Sequence, residues 1–264
     1  VIEVLNRVLI KLDNQEEVKH LAKYANMIKK NYPEAEIVGI FIHPSIGEHS
    51  FREFRGVGGD YDIGEAKSEH KAKIEKIMED ENKIREEFLS LVENSSFYAK
   101  IGDIPEVLMD ELRLFDLAVI SKTDKIGHDL REIFKNHNKP IILVPELENY
   151  SLDRILVADD QGLEVNKSVF KFMGVFEKTR EFKAVTVGVS QEEVKDLTFY
   201  LEKIDKKIDY KFEEGAVDKI ILNYAKDCDM LIMGNLKRSF MVEKLIGTGG
   251  IRALEEVKKP IFIG

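Results

Sequence analysis

Only one of the 264 residues is cysteine, and none is tryptophan. A lone Cys228 can form neither an intrachain disulfide nor a multi-cysteine metal cluster, so a reducing, cytoplasmic setting is the default expectation. It opens an apolar run and reads as a small buried hydrophobe, not a nucleophile. Long apolar runs are missing too: none approaches the roughly twenty residues that span a bilayer. The N-terminus also lacks a basic region followed by an apolar core, so neither membrane insertion nor secretion is expected. Positive charge is outnumbered, with 40 Lys and Arg against 49 Asp and Glu, a net charge of −9. Such a balance argues against nucleic acid or anionic lipid as a partner. Catalytic signatures are absent as well: there is no P-loop, no Gly-x-Ser-x-Gly elbow, no His-Glu-x-x-His helix and no paired-cysteine zinc site. His20, His43, His49, His70, His128 and His137 are scattered, and surface positions are the default for them.

What the chain does have is a repeat. Gly102-Asp103-Ile104-Pro105-Glu106-Val107-Leu108 followed by Phe115-Asp116-Leu117-Ala118-Val119-Ile120 recurs as Gly215-Ala216-Val217-Asp218-Lys219-Ile220-Ile221 followed by Cys228-Asp229-Met230-Leu231-Ile232-Met233. The glycine and the aspartate are fourteen positions apart in both copies, and each copy ends in Lys-Pro and an apolar run. A period this long means two similar domains, not a solenoid. Residues 1–147 and 152–264 are the expected domains, joined by a linker at 146–151.

Within each domain apolar strands alternate with amphipathic helices. Strands are expected at 7–12, 36–42, 97–101, 117–121 and 141–144, then at 154–158, 183–189, 209–212, 230–233 and 261–263. Val18, Leu21, Ala22, Ala25 and Ile28 recur at helical spacing. A charged helix with one apolar stripe is expected over 65–93, and shorter ones at 104–114, 130–135, 165–176, 191–204, 217–225 and within 240–257. Four glycines between positions 56 and 64 mark an insertion. This alternation predicts α/β architecture: two tandem doubly wound, mostly parallel five-stranded sheets flanked by helices. Ligands of such sheets lie beyond the carboxyl ends of the strands, where the strand order reverses.

Three places in the second half sit at such ends: Asp159-Asp160, Val187-Gly188-Val189, and the stretch from Met233 and Gly234 onward. Lys237 follows Gly234 after two residues, and nine more lead to Gly247-Thr248-Gly249-Gly250 at the entry to the last helix. A glycine turn at a helix N-terminus offers unpaired amides to an anion. The plainer reading of that cluster is a flexible helix entry; Asp160 would then be a cap and Val189 sheet core. The first half has Asp13 after its first strand, but its fourth-strand loop reads Ser121-Lys122-Thr123-Asp124-Lys125 and lacks the later Gly-Thr.

On these residues the chain resembles the universal stress protein family in its tandem two-domain form, over almost its whole length. The family's nucleotide-binding branch carries Gly-x-x-Gly, nine residues, then Gly with Ser or Thr. Gly234, Gly247 and Thr248 match that pattern, and Lys237 replaces its second glycine. The resemblance implies the adenine nucleotide alpha hydrolase-like fold and an ATP or AMP site in the second half, with Mg²⁺ as a companion of the phosphates. Its residues would be Asp160, Val189, Met233, Gly234, Lys237, Gly247, Thr248 and Gly249. Two roles are open to Lys237, closing the loop or neutralising phosphate charge. The family reading is a cytoplasmic stress-response or signalling module that carries an adenine nucleotide and contacts a protein partner; the alternative is a tandem scaffold working by association alone. No hydrolytic base can be named, so no enzymatic role is expected beyond slow ATP hydrolysis. In the family, single domains pair through their final strands, which implies that 141–144 lies beside 261–263, with homodimerisation left open. No nucleotide is expected in the first half, whose role is to support the second.

Overall fold

The computed structural model describes residues 5–44, 63–234 and 249–264. The first half runs β1 (Arg7–Leu12), α1 (Gln15–Asn31), β2 (Glu36–Pro44), α2 (Ile63–Leu91), β3 (Ser95–Gly102), α3 (Ile104–Leu112), β4 (Leu117–Ser121), α4 (His128–Asn136) and β5 (Ile141–Val144). The second runs β6 (Ile155–Ala158), α5 (Leu163–Val175), β7 (Glu181–Val187), α6 (Lys195–Lys203), β8 (Lys207–Glu213), α7 (Val217–Ala225), β9 (Met230–Met233), α8 (Gly249–Glu256) and β10 (Ile261–Ile263). Most of the glycine-marked insertion, and with it Lys237, Gly247 and Thr248, lies outside the described residues.

Local chemistry explains where elements start. Asn14 opens α1 with a reciprocal cap: its side chain accepts the Glu17 N–H at 3.2 Å, and the Glu17 carboxylate accepts the Asn14 N–H at 3.3 Å. The helix expected at 191–204 begins only at Lys195. Glu193 explains the delay, because its carboxylate takes both the N–H (2.8 Å) and the hydroxyl (2.7 Å) of Ser190 and holds the preceding residues in a turn.

The strands join into one sheet of ten, ordered β3-β2-β1-β4-β5-β10-β9-β6-β7-β8. Every pairing inside a half is parallel, and the seam between the halves is antiparallel, with Ile142 opposite Phe262. That seam covers two backbone edges that would otherwise be open to other chains. Successive residues of a strand face opposite sides, so Ile155 and Val157 belong to one core and Leu156 to the other. Helices α1, α2, α5 and α6 cover the first face; α3, α4, α7 and α8 cover the second. The first core runs unbroken beneath the seam, where the Phe262 ring meets Phe172 at 5.2 Å and Tyr32 meets Phe176 at 5.8 Å.

The repeated aspartate has a structural purpose. Asp116 accepts the Asn6 and Arg7 N–H groups at 2.8 and 3.0 Å, and Asp229 accepts the Arg154 N–H at 3.0 Å and its guanidinium at 2.6 Å. In both halves the carboxylate pins the start of the first strand, at the opposite end of the sheet from any strand-end site. Burial pushes the Cys228 thiol up to about 11, as suits an inert core residue. The expectation of surface histidines fails for two. His20 is buried against the end of β4, and His43 Nε2 lies 2.6 Å from the Glu81 carboxylate. Both occupy faces where α1 and α2 pack on the sheet.

Candidate functional site

At the top of the second half, β6 delivers two aspartates with different environments. Asp159 keeps the inward parity of Ile155 and Val157 and is 5% exposed. Its carboxylate accepts the Tyr210 hydroxyl at 2.6 Å, the Gln161 side-chain amide at 2.6 Å and the Gln161 N–H at 2.8 Å. Three donors satisfy a carboxylate removed from water. Burial and the Asp159 charge together raise the Tyr210 hydroxyl pKa well above its ordinary value, so the phenol remains a donor. Gln161 has φ 57, a left-handed conformation that costs about 1–2 kcal/mol outside glycine. The Asp159 grip on both of its nitrogens holds it there.

The consequence is the placement of Asp160. It is exposed, and its Oδ1 accepts the Gly162 N–H at 2.8 Å, forming an Asx turn just before α5. Asp160 is therefore neither a buried ligand nor the N-cap of α5, which is Gly162 without a side-chain cap bond. Gly188 follows β7 with φ 68 and Val189 comes after it, half-buried. Met233 is buried in the second-face core as the last residue of β9. At Gly234 a Cβ would stand 2.8 Å from the Val165 backbone nitrogen. The end of β9 thus lies directly against the first turn of α5, and glycine is required there for close approach. Gly249 is the first residue of α8. Of the predicted site residues, Asp160, Val189, Met233, Gly234 and Gly249 are described, and all five stand at strand ends or a helix start; Lys237, Gly247 and Thr248 lie outside the described residues.

The corresponding top of the first half is built from larger and more charged groups. Strand registers make Lys11 the counterpart of Ala158 and Ser121 the counterpart of Gly234. Lys11 is 5% exposed and its ammonium pairs with Asp13, the counterpart of Asp160. Asp13 in turn donates its N–H to the buried Glu17 carboxylate. Burial is the main reason that the Glu17 pKa is raised, with the Asp13 charge adding to it. Ser121 Oγ lies 3.2 Å from His20 Nε2. Burial lowers the His20 pKa, against the opposing pull of Glu146 and a backbone bond at Val144. The first-half strand ends are filled by the protein's own side chains.

The fourth-strand loop of the first half turns to the other half instead. Lys122 Nζ donates to the Glu255 carbonyl at 2.8 Å, the Ile126 N–H donates to the Glu255 carboxylate at 3.1 Å, and Lys258 pairs with Asp124 at 2.6 Å. Lys122 satisfies an orphan carbonyl at the C-terminal end of α8 and complements its dipole. Burial, helped by the neighbouring Lys258 charge, brings the Lys122 pKa down to about 8. One half thereby clamps the helix whose other end opens at Gly249. Sequence reasoning named Asp159 only beside Asp160 at a strand end, and gave no role to Tyr210, Lys11 or Lys122. For Asp159 and Lys11 the signal was strand parity, since each falls on an inward position of an otherwise apolar strand.

Among the described residues no helix is long and apolar enough to cross a membrane, and no group of three or more His, Cys, Asp or Glu could hold a metal ion. No protein-family model and no curated protein matches the sequence. Solved structures do match. A universal stress protein from Archaeoglobus fulgidus DSM 4304 superposes with a TM-score of 0.67 at 14% identity, over 97% of this chain and 95% of that one. A functionally unknown protein from Pseudomonas aeruginosa PAO1 gives 0.61 at 11% identity, over 98% of this chain and 92% of that one. At such identities the likeness speaks to architecture, and the chain has, over nearly its full length, the α/β fold of a universal stress protein.

Proposed function

We propose that the second half holds an adenine nucleotide, ATP or AMP, beyond the carboxyl ends of β6, β7 and β9, and that the protein serves as a stress-response or signalling module. One observation carries the reading: the second half places Ala158 and Gly234 where the first half has Lys11 and Ser121. Ala158 and Gly234 bring no long side chain to these strand ends, whereas the first half closes its own with an ion pair and a His20 contact. The exposed Asp160 carboxylate suits a hydroxyl donor such as a ribose, and its place in the Asx turn is fixed by Tyr210 through Asp159 and Gln161. Val189 offers a half-buried apolar surface to a base. The N-terminal amides of α8 at Gly249 are the donors suited to phosphate, together with Gly247 and Thr248 in the preceding loop. Lys237 supplies a cation in the same loop. Mg²⁺ would be held chiefly by the phosphates, with the exposed Asp160 as the candidate carboxylate, one of whose oxygens already accepts the Gly162 N–H; Asp159 is saturated by its donors.

In this reading the nucleotide stabilises one conformation of the second half and so alters what a protein partner meets. Isothermal titration with ATP and with AMP tests it, using the unmodified protein beside Asp160→Ala and Gly247→Val. Binding that weakens at least about tenfold in both variants is expected, the scale of one or two lost polar contacts. Absence of heat at millimolar nucleotide with the unmodified protein rejects the site and leaves a scaffold that works by association alone.

A further inference from the structure

The outward face of α5 and α6 carries large, exposed apolar side chains. Leu163 is 75% exposed and Phe199 59%, and Phe170, Tyr200 and Ile204 are each more than a third exposed. The Phe170 and Tyr200 rings meet at 5.0 Å across the two helices, Leu163 lies two turns before Phe170, Phe199 adjoins Tyr200 with the Lys203 ammonium 5.0 Å over its ring, and Ile204 lies one turn beyond Tyr200. The fold does not require them. Aligning the buried faces of α1 and α5 (Val18 with Val165, Ala22 with Val169, Ala25 with Phe172) places Glu16 opposite Leu163 and Lys23 opposite Phe170. The same helix in the same position on the same sheet is charged in one half and apolar in the other.

We infer that this face is where a second copy of the chain docks, two-fold symmetrically, α5 and α6 of one against α6 and α5 of the other. Three observations select that occupant. Five such side chains expose several hundred Å², the scale at which a surface patch marks an interface and enough for the dry centre of a standard contact of about 800 Å² per partner. The rim holds both signs, Lys167, Lys195 and Lys203 with Asp196 and Glu202, all exposed. A rotated copy can set lysines against carboxylates, whereas a partner of one sign meets repulsion from part of the rim. Assembly by strand addition is disfavoured on this side, because the outermost strand β8 presents exposed Lys207, Asp209 and Lys211 along its edge. The aromatic pair at the centre is the kind of anchor that dominates such contacts.

Sedimentation velocity of the full chain, from micromolar to several hundred micromolar, tests the inference. A concentration-dependent dimer is expected. Leu163→Glu with Phe170→Lys copies the first half onto this face and should raise the dimer dissociation constant at least about 100-fold, the loss typical of two central anchors, while the melting temperature of the monomer holds. Phe199→Glu, at a site already exposed, is the second variant and should act in the same direction. A monomer at every concentration overturns the inference, as does a dimer whose dissociation constant is unmoved by either change. Capture of a different protein on this face by a strictly monomeric chain would also overturn it.

Discussion

The two halves share strand order, helix placement and the pinning aspartates, yet they finish their strand tops in opposite ways. In the first half the inward residues on the first and second strands at this level are Leu12 and Phe41, with Phe97 on the third. In the second half the register puts Asp159, Thr186 and Tyr210 at those positions. An apolar plug has been exchanged for a buried Asp159–Tyr210 hydrogen bond, with the Thr186 hydroxyl buried nearby without a hydrogen-bond partner, beside a cavity of about 40 Å³ lined by Asp159, Gln161, Gly162 and Val165. On the other face of the sheet the exchange runs the opposite way, since buried Lys11 is replaced by Ala158. Polar groups have thus changed sides between the copies. The lesson is that a duplicated fold tolerates buried charge on either face of the strand ends provided each charge keeps its partners.

Removing one partner from the second-half cluster should break the comparison most strongly. Tyr210→Phe leaves the buried Asp159 carboxylate with only the Gln161 donors, and the loss of a hydrogen bond to a charged group costs about 1.5–3 kcal/mol. The double change Asp159→Leu with Tyr210→Phe copies the first-half residues Leu12 and Phe97 and should recover most of that loss, because deleting both partners removes the desolvation penalty as well as the bond. Urea unfolding midpoints of the single and double variants decide the matter. A double variant no more stable than Tyr210→Phe would mean that the cluster stabilises the fold through something other than its own hydrogen bonds.

A smaller effect is expected where the copies differ by one atom group at the end of the fourth strand. Ser121 in the first half has room for a hydroxyl bonded to His20, whereas Gly234 approaches the Val165 nitrogen so closely that an added Cβ would overlap it. Gly234→Ser should therefore cost about 1–3 kcal/mol by overpacking, while Ser121→Gly should cost less than about 1 kcal/mol. Thermal melts of the two variants give the ranking, and equal losses would show that the β9 end can retreat from α5. This contrast was half legible in the sequence. The long repeat and the near-continuous apolar runs were enough to place all ten strands, because burial between two helical layers writes itself into consecutive residues. Gly234 was legible as a glycine but not as a contact, since its neighbour Glu164 lies seventy positions away. The same distance hid Lys122, whose partner Glu255 is 133 residues on. Asp159 was legible as a strand-end acid and Lys11 as a strand residue, but their burial was not, because their partners, Tyr210 and the folded turn at Asp13, are set by the fold.

The finest probe of the comparison is pH, because only the first half buries a histidine at its strand ends. His20 has a folded-state pKa below its ordinary 6.5, burial being the leading cause. The unfolded chain therefore binds more protons than the folded one between the two values, and stability rises with pH through that window. The contribution is complete above 6.5 and is lost as pH falls through the folded-state pKa. Glu17, one turn earlier, has the opposite sign: its raised pKa favours the folded state below 4.5, and that contribution fades as pH rises. Melting temperatures of the unmodified chain should consequently drop between pH 7.5 and pH 5.5, a range set by roughly one unit on each side of the histidine's ordinary value. His20→Gln keeps a polar group within reach of Ser121 without a titrating ring, and should flatten that part of the profile while leaving the acid limb governed by Glu17 unchanged. Parallel slopes in the two proteins would place the acid sensitivity outside His20, and the first half would then owe its closed top to the Lys11 and Asp13 pair alone.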